Sequence, residues 1–551
     1  MKRQPPIQRW DQETTLVIQI ASFVSLFSFL FYFRRGDLLL YGDAVAHINI
    51  ARRVIDSLTP GPLQLGTVWL PLPHLLMVPF LFSDSAWRTG IAGSIPSLLA
   101  YVLGTVGIFR LVRSVLSGNE KPDAAARVAA WIAMLIYAAN PNLIYLQSTA
   151  MTEALYLALF IWAIVHFAEF VIAVRANPKV SSSLLKCGWS VLGACLTRYD
   201  GWFLAVVLVS AAVLVTIQFL KANPILKIAL VKFVLLCAAG PLLWVAYNAA
   251  VYRNPLEFAN GPYSARAIEQ RSATVTMPSH PGAHDLPVAF SYFFKSAQIN
   301  MVEGAWQRVW VLVLLAGTLI VLLLQRSYWP LLLLWLPIPF YMLSIAYSGV
   351  PIFLPTWWPF SLYNVRYGLE MLPAFAALVA VLVYSGLKMR KDRWTQATVV
   401  VAAAAVISIS YISAWRVQPV CYREAWTNSR TRLSLETALA TNLQMLPHDS
   451  TFLMYLGDHV GALQQAGIPL HQVINEGNHR PWKAPADPQG LWERALAEPQ
   501  QYADYVIAFD GDPVAAKVDR NHLQSVVVLH TPGQPLCTVY WTRRPPGNHS
   551  G

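Results

Sequence analysis

A carboxylate and an imidazole stand one helical turn apart near the start of this sequence. Asp43 and His47 belong to the stretch YGDAVAHINIARRVID, residues 41–56. In a helix both fall on the apolar side, since residues three or four positions apart share a helix face. A carboxylate can take a proton from a reacting group, so we predict Asp43 as a catalytic base and His47 as a substrate contact. The other polar side chains are predicted to form a separate, solvated face: Asn49, Arg52, Arg53 and Asp56.

Two simpler interpretations of Asp43 stay open on the sequence. An aspartate that follows a glycine at the start of a helix is a common N-cap, because its oxygen accepts a backbone N–H. Asp43 and His47 could also be a buried pair that satisfies itself. His74, in the apolar run WLPLPHLLMVPFLF, is interpreted as a packing residue. The N-cap explains Asp43 alone, whereas a substrate on the inward side explains both Asp43 and His47.

Further ionisable residues stand at the starts of other apolar runs. Glu153, in TAMTE, is predicted as an acidic partner of the base, with stabilisation of a helix start as the alternative. Arg366 and Tyr367 lie in YNVRYGLEMLP, where an arginine suits a phosphate fork or an interfacial anchor. Arg198 and Asp200, in LTRYDGW, are predicted to contact a sugar or phosphate, or else to form an interfacial pair.

The segment RNPLEFANGPYSARAIEQR, residues 253–271, starts a long polar connection between apolar runs. Glu257 and Tyr263 in this segment are candidate sugar contacts. A solvated connector without a binding role is the alternative interpretation.

The composition is that of a membrane protein. The chain has 551 residues, of which 56% are hydrophobic and only 13% charged, whereas a soluble domain carries about 25% charged residues. The formal net charge is +12, yet the part from Arg416 onward has 11 basic and 12 acidic residues. An excess confined to the membrane part indicates topology control and contact with anionic lipid, not nucleic-acid binding.

Apolar runs of about 20 residues predict the membrane spans. The run 69–82 is too short and too rich in proline to be counted, and it is interpreted as an interfacial or re-entrant segment. The first run is predicted to be a retained helix, since no cleavage site follows it. We predict about eleven spans: 15–33, 90–112, 127–145, 152–174, 184–198, 201–220, 228–250, 309–325, 329–348, 366–387 and 396–415.

Short basic loops fall on one side of this arrangement and predict a cytoplasmic N-terminus. The last of them is KMRKDR, residues 388–393. An odd number of spans then places the C-terminal part outside, together with the segments 34–89 and 251–308. The protein is thus predicted to be a multi-pass cell (inner) membrane protein that works at the outer face.

The C-terminal part differs from the rest, so we predict a membrane module at 1–415 and an extracytoplasmic α/β domain at 416–551. Strand-like runs such as YADYVIAF and CTVYWT alternate with helical stretches such as GLWERALAE. Asp510-Gly-Asp512 is interpreted as a turn. Cys421 and Cys537 are predicted to form a disulfide, because they are the only cysteines of this outer part.

Taken in order, these motifs resemble those of the GT-C superfamily of polyprenyl-phosphate-dependent glycosyltransferases. This group includes the protein O-mannosyltransferases and the aminoarabinose transferases of lipid A. The resemblance covers roughly residues 15–415 and rests on YGDAVAHI, TAMTE, LTRYDG and RYGLEMLP. The protein mannosyltransferases have two adjacent acidic residues in the first motif, whereas Ala44 follows Asp43 here.

The resemblance implies a helical polytopic fold of the GT-C type and transfer of a sugar from a polyprenyl-phosphate-linked donor. The acceptor would be a lipid, a glycan or a protein. In this scheme Asp43 is the base, Glu153 is its acidic partner, and Arg366 holds the donor phosphate, with Arg198 as the second choice for that role. No cofactor is expected, and a divalent cation is compatible with the scheme without being indicated. The alternative is a multi-pass transporter or lipid flippase, which would show inverted repeats and charges at mid-membrane.

Overall fold

The computed structural model describes most of the chain. The described residues are 11–118, 120–176, 182–217, 219, 223–272, 279–324, 328–389, 392–480, 482–484 and 487–542. Residues 390 and 391 of the basic loop 388–393 therefore lie outside the described residues.

Helices dominate the structure up to residue 443. They are α1 Gln12–Arg35, α2 Gly42–Arg53, α3 Leu72–Met77, α4 Asp84–Thr89, α5 Ile91–Ser117, α6 Ala124–Ala138, α7 Pro141–Leu146, α8 Glu153–Ala176, α9 Ser182–Cys195, α10 Asp200–Thr216, α11 Pro224–Tyr252, α12 Glu257–Asn260, α13 Ala265–Ser272, α14 Leu286–Met301, α15 Trp306–Leu324, α16 Pro337–Tyr347, α17 Leu372–Met389, α18 Arg393–Arg416 and α19 Val420–Leu443.

The remaining elements alternate short helices with strands. They are β1 Phe452–Met454, α20 Leu456–His459, α21 Gly461–Ala466, β2 Val473–Ile474, α22 Leu491–Ala497, α23 Pro499–Tyr502, β3 Tyr505–Phe509, α24 Pro513–Lys517, β4 Gln524–Leu529 and β5 Cys537–Trp541.

Eight helical segments among the described residues are long and apolar enough to cross a membrane. They match eight of the eleven predicted spans. The other three predicted spans correspond to the shorter helices α6, α9 and α10, of 15, 14 and 17 residues. A helix rises about 1.5 Å per residue, so these three are shorter than the usual 20-residue span.

The chain folds into two compact units that interleave along the sequence. Unit 1 comprises residues 1–35, 96–244 and 259–424. Unit 2 comprises residues 36–95, 245–258 and 425–551.

Unit 1 is a helical bundle with α17 at its centre. Every residue of α17 from Leu372 to Val381 is buried, so this part of the helix is covered on all sides. Gly317 of α15 lies directly against the carbonyl of Leu378, where a Cβ atom would clash with the backbone. Small residues allow such close approach of membrane helices, which lack a hydrophobic driving force between them and depend on tight packing.

A buried amide joins two distant segments of unit 1. Gln147, at the end of α7, donates to the hydroxyl of Ser28 at 2.7 Å and accepts from the hydroxyl of Ser25 at 2.8 Å. Both serines belong to α1. Hydrogen bonds of this kind between helices satisfy polar groups that no water reaches, and they fix the register of α1.

Unit 2 contains a five-stranded sheet of order β2-β1-β3-β5-β4. β1 pairs in parallel with β2 and β3, while β5 pairs antiparallel with β3 and β4. Helices α22 and α24 pack on it through Trp492, Leu496 and Val514. The α/β character predicted for this part is confirmed. Asp512 closes the predicted turn and accepts a hydrogen bond from Ala515 N as the N-cap of α24.

The polar face predicted for α2 is not solvated, so this expectation was wrong. Asn49, Arg52 and Asp56 are all buried. Asn49 donates to Gln464 at 2.8 Å, and Asp56 accepts hydrogen bonds from Arg52 Nε at 2.7 Å and from the backbone of His471 at 3.1 Å. Unit 2 thus buries both sides of α2, because residues far along the chain supply partners for its polar side chains.

Asp56→Asn is expected to destabilise unit 2 by about 1.5–3 kcal/mol, the usual value for hydrogen bonds to a charged group. Burial raises the pKa of Asp56, but hydrogen bonds from His471 and Arg52 outweigh it and hold the pKa below its ordinary value. The stabilisation by these hydrogen bonds is therefore complete above pH ~4, the pKa of an aspartate in the unfolded chain. It is lost as the pH falls through the lower pKa that Asp56 has in the folded protein.

Thermal unfolding of Asp56→Asn and wild type in detergent, from neutral pH down to a pH below the folded pKa of Asp56, checks this prediction. Asp84→Asn is the matched control, since Asp84 also pairs with Arg52 but is 73% exposed. It should cost no more than about 1 kcal/mol. Equal melting temperatures for Asp56→Asn and wild type at neutral pH would contradict the predicted role.

Candidate active site

Unit 1 contains a buried cluster of charged side chains. We call this cluster the ionic cluster. Its carboxylates outnumber its guanidinium groups. The cluster consists of Glu153, Asp200, Glu370 and Glu424 with Arg198 and Arg366. It brings together four residues that the sequence predicted for the site, Glu153, Arg198, Asp200 and Arg366.

Arg366 bridges two of the carboxylates. Its Nε donates to Glu153 at 3.0 Å and its Nη1 donates to Glu424 at 2.9 Å. Glu424 also accepts from the backbone N–H groups of Asn364 and Val365, at 3.1 and 2.8 Å. The guanidinium is thus held by protein carboxylates, so a direct fork to a donor phosphate would compete with Glu153 and Glu424.

The local backbone explains why Arg366 is buried. It lies in a 3₁₀ helix, Val365–Met371, that leads into α17. Gly368 of this segment lies against the backbone of Ser296 in α14, where a Cβ atom would clash. Asn300 of α14 donates to the carbonyl of Val365 at 2.7 Å. The close approach to α14 therefore fixes the direction of Arg366.

Arg198 occupies the other end of the ionic cluster. It lies 3.3 Å from Asp200, 3.3 Å from Glu370 and 3.5 Å from Glu153. Arg198 Nη2 also donates to the hydroxyl of Tyr341 at 2.7 Å, and that hydroxyl lies 2.7 Å from Glu370 Oε1. The interfacial pair considered for Arg198 and Asp200 is therefore part of a larger buried network.

Tyr367 lies between the two arginines. The guanidinium carbons of Arg198 and Arg366 are each 5.0 Å from the centre of its ring, and the ring stacks on Tyr341 at 5.2 Å. A tyrosine face attracts cations through its quadrupole. Tyr367 thus holds both arginines in place, whatever contact it makes with a substrate.

Two buried carboxylate oxygens of the ionic cluster have capacity to accept a hydrogen bond. Among the described residues, no hydrogen-bond donor reaches Glu153 Oε2 or Glu370 Oε2. Buried acceptors are nearly always satisfied, so each one that is not needs an explanation. A hydroxyl or amino group of a ligand would satisfy them.

Sequence reasoning missed Glu370, Glu424 and Tyr341. Glu370 carried a signal, because it is a carboxylate four residues after Arg366 within a membrane-span candidate, where charges are costly and usually functional. Glu424 and Tyr341 carried none, since each is an ordinary residue type at an ordinary position of its helix.

Asp43 belongs to unit 2 and is the second residue of α2. The N-cap position is occupied by Tyr41, so the N-cap interpretation of Asp43 is wrong. A carboxylate in the first turn still interacts favourably with the helix dipole. Asp43 is half-buried on the same side of α2 as the buried His47.

His47 is hydrogen-bonded to His74, with Nδ1 and Nε2 2.9 Å apart. It also packs against the ring of Trp69 at 4.8 Å. Burial lowers the pKa of His74 well below its ordinary value, and the charges of His47 and Arg53 lower it further. His74 is therefore neutral at physiological pH, and it is a buried packing residue that also fixes the orientation of His47.

The two remaining predicted contacts lie in different units. Glu257 of unit 2 is buried and accepts a hydrogen bond from Asn254 at 2.8 Å. Tyr263 of unit 1 is 45% exposed. Tyr263 is accessible to a ligand, whereas the carboxylate of Glu257 is already used in its own loop. Their roles in sugar binding stay predictions.

The described residues contain no group of three metal-ligating side chains placed to hold an ion.

All five cysteines are free and buried, so the predicted Cys421–Cys537 disulfide was wrong. The thiol of Cys421 instead donates to Asn300 at 3.3 Å, and its backbone N–H donates to Asn142 at 2.9 Å.

We expect the thiols of Cys421 and Cys537 to resist alkylation in the folded protein, because both are buried. After denaturation without reductant, both should react with a maleimide. Failure to react would indicate a disulfide.

The fold is similar to that of two crystal structures of ArnT from Cupriavidus metallidurans. The structure bound to undecaprenyl phosphate matches with a TM-score of 0.58 and the apo structure with 0.51. Each match covers 95% of this chain and 97% of the other at 13% sequence identity. Archaeal oligosaccharyltransferase AglB from Archaeoglobus fulgidus matches over 98% of this chain and 75% of that chain, with a TM-score of 0.45 and 12% identity.

No protein-family model matches the sequence, and no curated protein does. At this identity the likeness to ArnT shows the fold. The predicted architecture, a helical multi-pass membrane protein with a small C-terminal sheet domain, is confirmed, and its fold is similar to that of ArnT. The predicted number of eleven spans is not confirmed, because eight segments of the described residues are long and apolar enough to cross a membrane.

Proposed function

We propose that this chain is a membrane glycosyltransferase that moves a sugar from a polyprenyl-phosphate-linked donor to an acceptor. The single observation that carries the proposal is a fold shared over almost the whole chain with ArnT, whose structure is bound to undecaprenyl phosphate. The order of the motifs around Asp43, Glu153, Arg198 and Arg366 supports the same conclusion. The alternative of a transporter or flippase gains no support from the comparisons.

The proposed reaction is a displacement at the anomeric carbon. A hydroxyl or amino group of the acceptor forms the new bond to that carbon, while the bond from the carbon to the phosphate oxygen breaks. The polyprenyl phosphate leaves with the electron pair, and Asp43 takes the proton of the acceptor. Inversion at the anomeric carbon is expected from the resemblance. A lipid, a glycan or a protein could each supply the acceptor group.

The ionic cluster contributes binding to this scheme. The unsatisfied oxygens of Glu153 and Glu370 are suited to hydroxyl or amino groups, because carboxylates accept strong hydrogen bonds. Arg198 and Arg366 hold these carboxylates in a fixed orientation. Contact between either arginine and the donor phosphate stays a prediction, since it requires release of a carboxylate partner.

Transfer assays with defined donors test the proposal. The purified protein should consume a polyprenyl-phosphate sugar and release polyprenyl phosphate in the presence of an extract of envelope lipids. Mass spectrometry of envelope lipids and glycans with and without the protein should show one sugar missing, which names the product. Unchanged envelopes together with unconsumed donors of every sugar tested would reject the function.

The proposed topology has the N-terminus in the cytoplasm and residues 416–551 outside the inner membrane. The charge of the segment 388–393 supports it, because basic residues are retained in the cytoplasm. Reporter fusions at residue 392 and at the C-terminus should therefore report opposite compartments. The same compartment for both fusions would exclude this topology and the outer-face location of the reaction.

A further inference from the structure

An uncharged aromatic segment lies in unit 1 directly before the 3₁₀ helix that carries Arg366. Residues 351–363 read PIFLPTWWPFSLY, and we call them the aromatic loop. Two backbone hydrogen bonds between Phe353 and Tyr363, of 3.0 and 3.3 Å, close its base. Ile352 and Leu354 anchor the base in the protein interior, where both are fully buried.

The tip of the aromatic loop presents its rings outward. Trp358 is 39% exposed and Phe360 is 68% exposed, and at the base the ring of Tyr363 is 46% exposed. The tip is nevertheless held in place, because Tyr292 donates to the carbonyl of Trp358 at 2.7 Å and packs edge-on against Trp357 at 5.0 Å. Large rings fixed in an exposed position are unfavourable in water, so they indicate a partner surface.

The aromatic loop connects two membrane-span candidates, Trp329–Tyr347 and Val365–Met389. It follows α16, which belongs to a membrane-span candidate, Trp329–Tyr347, and whose last two turns expose Leu343 and Tyr347. Its other end is followed by Asn364 and Val365, whose backbone N–H groups both donate to Glu424 of the ionic cluster. The exposed rings thus lie in a connection between two span candidates, on the side of unit 1 where Glu424 of the ionic cluster lies.

Positive charge accompanies the rings. Lys295 Nζ lies 6.0 Å from the centre of the Trp357 ring. Lys295 Nζ also donates to Gln307 Oε1 at 2.6 Å, and the exposed Arg308 is the next residue after Gln307. The carboxylate of Glu303, in the connection between α14 and α15, is paired with Arg423. Uncharged rings beside Lys295 and Arg308 match an anionic lipid headgroup above its acyl chains.

We propose that the aromatic loop is a docking surface for anionic phospholipid in the membrane leaflet on the side of the ionic cluster. The rings of Trp358 and Phe360 would insert at the level of the headgroups, where aromatic side chains are favoured. Lys295 and Arg308 would meet the lipid phosphates. Lipid binding there would also hold the segment that begins at Val365. The inference concerns lipid contact and is independent of the transferase reaction.

Fluorescence quenching from a single labelled cysteine tests this inference. All five native cysteines are buried, so Phe360→Cys can be labelled selectively with an environment-sensitive fluorophore. Val528→Cys is the control, because Val528 is 58% exposed on strand β4. In nanodiscs of phosphatidylcholine and phosphatidylglycerol, the label at 360 should emit at shorter wavelength and be quenched by nitroxide lipids. The label at 528 should be quenched by aqueous iodide instead.

Removing the charge of the lipid or of the protein gives a second test. Nanodiscs of phosphatidylcholine alone should reduce insertion of the label at 360 relative to nanodiscs that contain phosphatidylglycerol. Lys295→Gln should lower this preference for phosphatidylglycerol about five-fold. Iodide quenching of the label at 360 equal to that at 528 would overturn the proposal.

Discussion

Asp43→Asn is expected to lower the rate of sugar transfer by about 10²–10⁴-fold, the usual contribution of a positioned base. Asparagine keeps the shape of the side chain but does not take a proton at neutral pH. Asp43 lies in the first turn of α2, where loss of the charge costs about 0.3–1 kcal/mol through the helix dipole. Expression and melting temperature should therefore stay close to wild type while transfer collapses.

Turnover of a polyprenyl-phosphate sugar, measured beside the melting temperature, separates the base from a structural role. Asp84→Asn is the matched control, since it removes an exposed carboxylate from the same unit. It should transfer at the wild-type rate. Wild-type transfer by Asp43→Asn would end the proposed role of Asp43 as the base, although the fold and the class of reaction could still be correct.

Arg366→Met is expected to destabilise the protein by about 3–5 kcal/mol, because it leaves the buried Glu424 carboxylate without its charge partner and Glu153 with only Arg198, 3.5 Å away. Arg366→Lys keeps the charge but cannot make the two separate bonds that the guanidinium makes from Nε and Nη1. The stability of Arg366→Lys should therefore lie between that of Arg366→Met and that of wild type. Thermal unfolding in detergent measures both effects.

A double-mutant cycle sharpens this second prediction. Glu424→Gln removes one of the two carboxylates, so combining it with Arg366→Met should recover part of the lost stability. Arg308→Met is the matched control, because Arg308 is exposed and its loss should change stability by no more than about 0.5 kcal/mol. Equal stability of Arg366→Met and wild type would show that the ionic cluster does not depend on Arg366.

Several features of the site follow from local sequence alone. Glu153, Arg198 and Arg366 each stand where an apolar run begins or ends, and hydropathy over a window finds such positions without knowledge of the fold. The strands of the C-terminal part could be predicted for the same reason, since a short continuous apolar run such as YVIAF in YADYVIAF is a local property. The length of an apolar run was less decisive, because α6, α9 and α10 are shorter than their runs suggested.

The partners of these residues were not visible in the sequence. Arg366 is 213 residues from Glu153 and 58 from Glu424. No periodicity or motif connects positions so far apart, and the pairing arises only when α8, α19 and the 3₁₀ helix pack together. The presence of a charge is thus local information, whereas its neutralisation is tertiary.

The stretch YGDAVAHINIARRVID shows the same division. The sequence alone determined a helix with Asp43 and His47 on one side, because the 3.6-residue repeat fixes which side chains share a face. Only the tertiary structure decided that the opposite face is also buried and that His47 pairs with His74, 27 residues away. The physical reason is that burial depends on what else packs against a helix. For α2, that is a unit assembled from three separate parts of the chain.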